Sequence, residues 1–237
     1  MKGMLKLLKG ELRRFVLYKI LPVSLVTSLI WIVLFLFISA EEALELLPLL
    51  VFVDVSMMSI ILIGASYHLE RQEGVIKSMM IMPVSMGQIL CSKIIASMVL
   101  AVESAVITSL ALLIIHGVVV NYALLLLAVI VAGAAHAAIG FFFALYSRDF
   151  PMMLALLMAY MLPMAMLPVL QELKIIDINE WILFASPSQS GLIVLSSAIS
   201  EVEAGEALAA FAYLMVLTLV LFKYAVYPKF KRTSVRG

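Results

Sequence analysis

The chain has a single cysteine, Cys91, so it cannot close an intramolecular disulfide, and nothing around Cys91 suggests a thiol site. Its three histidines, His68, His116 and His136, are scattered, with no HExxH or other short spacing that would bring two imidazoles onto one metal. No GxSxG nucleophile elbow occurs. The stretch "GQILCSKI" at 87–94 only faintly imitates a phosphate loop. It lacks the second glycine and the closing hydroxyl residue, and it opens an apolar helix instead of following a strand. These absences leave no catalytic, cofactor or metal residue to assign, so any energy drawn from nucleotide has to come from another chain. Charge is scarce too, at 13% of residues against about 25% in soluble domains.

Hydrophobic residues are abundant, at 65% of the chain, with a mean hydropathy of +1.18. A crossing of about 30 Å of hydrocarbon takes roughly 20 apolar residues. Six runs meet that length: Ile20–Ala40, Leu46–Tyr67, Lys93–Ile115, Tyr122–Tyr146, Met152–Leu170 and Ala207–Tyr227. The sequence therefore predicts an all-α membrane protein of six transmembrane helices, a single domain over 1–237. It divides into an arm (1–19), a bundle (20–227) and a basic tail (228–237).

With six crossings, fifteen of the sixteen Lys and Arg residues fall on one side, and Lys174 alone falls on the other with nine acids, Glu41 and Glu203 among them. The excess of basic residues in short loops marks the cytoplasmic side, which places both termini there. The serine-rich stretch Trp181–Ser200 is read as an external re-entrant or interfacial helix pair, because a seventh crossing would carry the basic tail outside. The first run is about as long as a crossing and lacks an obvious small-residue cleavage site, so it is read as a retained span. Ahead of it, Met4, Leu7, Leu8, Leu12 and Phe15 recur at helical spacing among basic residues. This predicts an amphipathic helix lying on the cytoplasmic leaflet. Flanking charge alone accounts for the Lys and Arg but not for the stripe.

Between the second and third runs stands "YHLERQEGVIKSMMIMPVS" (67–85). Gly74 permits a bend that a side chain would resist. Val75, Ile76, Met79 and Met80 line one side of a short helix, with Lys77 and Ser78 on the other, and Pro83 ends it. Ser85 and Gln88 form a capping box that starts the third span. An amphipathic helix held across the membrane axis suits a groove on a cytoplasmic partner better than it suits lipid.

"LERQEGVIKSMMIMPVSMGQILCSKII" resembles the signature of the type-2 ABC exporter permeases, in which an acidic-Arg-x-acidic-Gly stretch leads to a threonine-proline turn and then a helix with a lysine. Glu70, Arg71, Glu73, Gly74, Pro83, Ser85 and Lys93 match; Met82 stands where threonine is usual and Lys77 where a further acid is usual. A narrower similarity, to the fluoroquinolone-export permease group, rests on "LPLLVFVDVSMMSIILIGASYHLERQEG", where Phe52–Asp54 precedes the motif. The resemblance implies a multi-pass permease of a prokaryotic cytoplasmic membrane, in which Glu70, Arg71, Glu73, Gly74, Val75, Ile76, Met79, Met80 and Pro83 form a coupling helix seated in a separate ATPase subunit. It also implies a second permease copy or paralogue, ATP and Mg bound by the partner ATPase, and export of an amphipathic drug-like molecule or lipid. No nucleic-acid partner is expected.

Asp54, Glu103 and His136 lie at depth within the runs. Intramembrane charges normally face a bundle interior or a wet cavity. Ser97, Ala101, Ala105 and Thr108 flank Glu103, and Ala132, Gly133 and Gly140 flank His136, small residues that let helices approach closely. Glu103 and His136 are expected to hydrogen-bond across that contact, and Asp54 to line an outer vestibule or snorkel. The alternatives to a permease are an intramembrane enzyme using Asp54, Glu103 and His136, which no motif supports, and a structural membrane subunit. The many methionines of the fifth run, "MMLALLMAYMLPMAMLP", offer adaptable apolar surface, and Pro163 and Pro168 predict a kink there.

Overall fold

A computed structural model describes residues 2–172, 175–200 and 202–236. Lys174 and, among the nine acids and the basic tail, Glu201 and Gly237 lie outside the described residues, as do the side chains of Met80, Pro168, Glu172, Glu180 and Arg236. The described residues form helices and no strand.

Helices α1 (Lys2–Leu17) and α2 (Ile20–Phe35) meet at 67°, across a turn in which Lys19 takes the left-handed conformation at φ 56°. The outward face of α2 is apolar, with Val23, Val26, Ile30 and Val33 all more than half exposed. Its inward face carries Ser24, Ser28 and Phe35, all buried. A surface greasier than the interior is what a hydrocarbon solvent selects.

Ser39 caps α3 (Ala40–Val53) in a capping box with Glu42. A five-residue π-helical turn, Asp54–Met58, joins α3 to α4 (Ser59–Gln72), so that 40–72 is one helix of 33 residues. Gly74, at φ 72°, turns the chain into α5 (Val75–Met80). The predicted box of Ser85 and Gln88 starts α6 (Met86–His116), whose 31 residues extend about 46 Å. Then come α7 (Tyr122–Tyr146), α8 (Phe150–Glu172), α9 (Glu180–Phe184) and α10 (Pro187–Ser196). The last long helix is α11 (Ala204–Val220), continued through a second π turn, Leu221–Val226, into α12 (Tyr227–Arg236).

Among the described residues four helices are long and apolar enough to cross a membrane alone, 40–72, α6, α7 and 204–233, and a fifth if the bent α1–α2 pair is one span. This is a multi-pass helical membrane protein. One of the six expected runs is short, α2 with 16 residues, whereas α8 runs for 23 residues over Phe150–Glu172. The helix assignment of α8 continues through Pro163. At the centre stands α7, with 78% of its apolar stretch buried, whereas 204–233 lies at the periphery with 11%. The small-residue stripe of α7 admits its neighbours closely. A Cβ on Gly140 would fall 2.8 Å from Cα of Ile60, and one on Gly133 lies 3.7 Å from Ala101 on α6.

Two expectations change in detail, and the expected pair of short helices near 181–200 is present. The stripe on α1 packs inward: Leu7 and Phe15 are buried, and Phe15 meets Leu62, Ala96 and Leu100 of α4 and α6. The tail is a docked helix; Phe230 is 2% exposed and its ring lies 6.5 Å from that of Tyr67. The stretch 181–200 forms two helices too short to cross. Ser188, Ser190, Gly191 and Val194 of α10 are buried, in a helix packed against α3, α7 and α11.

Candidate functional site

The root of α5 is held by a buried ionic knot. Nζ of Lys93, 2% exposed, donates to Glu70 at 2.5 Å, Glu11 at 3.1 Å and the Ser66 hydroxyl at 3.2 Å, so all three ammonium hydrogens are used. Arg14 bonds Oε1 of Glu70 and lies 3.4 Å from Glu11. Ser66 donates to the same Glu70 oxygen at 3.1 Å. Two carboxylates and two cations from α1, α4 and α6 thus cancel in a place where an unpaired charge costs several kcal/mol. One turn beyond, Tyr18 donates to Glu73 at 2.8 Å. Burial and that carboxylate push the Tyr18 phenol up to about 12, which keeps it a donor at neutral pH.

This geometry redistributes the residues expected to meet a partner. Glu70 is fully buried in the knot, and Ile76 and Met79 turn inward, at 9% and 3% exposed, into the core that also holds Phe230. Glu70 thus sits at the root of α5, and Ile76 and Met79 form its buried underside, with α12 as a neighbour. Val75 and Gly74 are half-buried. The outward surface includes Arg71, Glu73, Lys77, Ser78, Pro83 and, at 87%, Ile81.

The polar residues within the long helices occupy separate places. Asp54, 3% exposed at the start of the π turn, accepts on Oδ2 from Nε1 of Trp31 at 2.9 Å and from the Ser104 hydroxyl at 2.5 Å. It lies in the bundle and neither snorkels nor lines an open vestibule. Glu103 accepts from Ser24 at 3.2 Å. His136, fully buried, donates from Nδ1 to the Ala132 carbonyl at 2.8 Å. Its Nε2 then accepts from Tyr160 at 3.4 Å, whose oxygen takes a bond from Ser188 at 3.3 Å. The expected Glu103–His136 bond does not form. Glu103 is turned toward α2, and the α6–α7 contact at Ala101 and Gly133 is filled by small side chains. Asp54, Glu103 and His136 therefore do not converge as an acid–base set. Among the described residues no three His, Cys, Asp or Glu side chains gather to hold a metal.

Sequence reasoning passed over Glu11, Arg14, Ser66, Trp31 and Tyr160 as members of these networks. One signal was present: Glu11 falls between Leu7 and Phe15 at i, i+4, i+8, an acid on the buried line of an otherwise basic arm. The chain matches no protein-family model and no curated protein.

Proposed function

We propose that this chain is the membrane-spanning permease subunit of an ATP-driven exporter of the type-2 ABC kind. It crosses the membrane six times with both termini in the cytoplasm. It pairs with a second permease and with ATPase subunits that bind ATP and Mg, and it moves an amphipathic molecule or lipid outward. The observation that carries this reading is α5: a short helix between two long ones, with Lys77 and Ser78 exposed on it, Ile81 exposed just after it, and Glu70 just before it knotted to Lys93 and Arg14 beside Glu11. A helix so rooted moves together with α1, α4 and α6, which is what passing a partner's closure to the spans requires. An element that served only as a loop would need no four-charge anchor. Purification of the complex from its native membrane tests the reading. An ATP-binding chain should accompany it, and its hydrolysis should rise with transported substrate. A chain that purifies without any ATPase would remove the proposal.

A further inference from the structure

We propose that Asp54 is a proton-binding site inside the bundle, and that Glu103 on α6 is its acidic neighbour. The inference rests on the chain crossing a membrane and is independent of what it transports. It begins with a contrast. Where this protein buries an ionised carboxylate, Glu70, it supplies two cations, Lys93 and Arg14. Asp54 is just as enclosed, yet its donors are the indole N–H of Trp31 and the hydroxyl of Ser104, both neutral. Among the described residues no Lys, Arg or His lies within 4.0 Å of Asp54 or Glu103.

The surroundings offer no remote countercharge either. Helix α2 carries no ionisable residue between Ile20 and Phe35. On α6, Lys93 is bound in the knot, and His116 donates to the Phe35 carbonyl at 2.9 Å at the opposite end. On α7, His136 is engaged by Ala132 and Tyr160. The acids of α3, Glu41, Glu42 and Glu45, belong to its first turns, and His68 and Glu70 lie at the far end of α4. Glu103 adds a second acid, and its Oε1 is buried without a hydrogen-bond partner. Two carboxylates in apolar surroundings, joined only by serine hydroxyls, cannot both stay ionised without a cation.

A proton is the cation that fits, because Asp54 is 3% exposed and a proton needs no cavity. It adds to the carboxylate to give the neutral acid, with no other bond made or broken. With the proton on Oδ1, Oδ2 is the carbonyl oxygen, and it accepts from both Trp31 and Ser104 as observed. The π turn that begins at Asp54 is a feature often found at functional positions in long helices.

Infrared spectroscopy of the full chain in lipid bilayers at pH 7 tests this. The wild type should show the C=O band of a protonated carboxyl group, shifted in D2O. Asp54→Asn, which mimics the neutral acid, should remove at least half of that band while the protein stays folded. Trp31→Phe should keep the band but raise its frequency, because one hydrogen bond to the carboxyl is lost. A wild type without the band would overturn the proposal, as would Asp54→Asn with the band intact. Should Asp54→Asn fail to fold, the Trp31→Phe shift decides, and an unmoved band there overturns the assignment to Asp54.

Discussion

The ammonium of Lys93 lies 2.5 Å from Oε1 of Glu70, and neither side chain is more than 2% exposed. The pair ties the last turns of α4 to the first turns of α6, with α5 as the link between them. Arg14 and Glu11 bring α1 into the same knot, so three helices meet at the root of α5.

Lys93→Met should leave Glu70 and Glu11 with Arg14 alone. Removing one partner of a buried pair costs about 3–5 kcal/mol, because the other charge stays behind. Thermal unfolding in detergent should show that loss, and Glu70→Gln added to Lys93→Met should recover part of it. Strict additivity in the double-mutant cycle would mean that the two side chains are not coupled.

The two faces of α5 should respond oppositely to charge. Ile76→Asp buries a carboxylate and should lower stability and yield. Ile81→Asp, at a position 87% exposed, should leave thermal stability unchanged while weakening association with the proposed ATPase partner. Gly74→Pro demands φ near −65° where the backbone sits at 72°, so it should misdirect α5 without removing the protein from the membrane. Normal co-purification of the ATPase with both Ile81→Asp and Gly74→Pro would take the docking role away from α5.

Reporter fusions test the orientation. One placed after Gly237 should report from the cytoplasm, and one inserted at Glu42 or Glu203 from outside. An external C-terminus would rule out the six-crossing arrangement.

Glu103→Leu and His136→Leu should destabilise independently, since one touches Ser24 and the other Ala132 and Tyr160. Tyr160→Phe and His136→Leu, by contrast, share a hydrogen bond and should be less than additive. A strong coupling between Glu103 and His136 would contradict the geometry described above.

The helices were legible wherever one physical signal dominated. Tyr122–Tyr146 is bounded in the structure as its apolar run predicted, and the Ser85–Gln88 box starts α6. The small residues at Gly133 and Gly140 do mark close helix contacts. What periodicity could not tell was which neighbour each stripe would meet. The same spacing of Leu7, Leu8, Leu12 and Phe15 serves a leaflet or a helix, and only Glu11 beside Lys93 decides for the helix. Ile76 and Met79 likewise give an apolar face, but whether a partner or α12 covers it depends on Phe230, some 150 residues away in the sequence. The Glu103–His136 expectation failed for a related reason. Depth along a helix is readable from residue counting, whereas direction around it depends on how the bundle is wound.

The π turn at Asp54–Met58 sets that winding within the longest helix. Such a turn holds one residue more than the α-helical path, and one residue is about 100° of rotation. Deleting a single residue from 54–58 would restore an unbroken α-helix and swing everything after it by that angle. Glu70 would then leave Lys93, and Gly64 would leave the Met153 side chain that now occupies the space of a Cβ. The extra residue is therefore a phase adjuster. It lets the half that presents Asp54 to Trp31 and the half that presents Glu70 to Lys93 each find its own partners along one continuous rod.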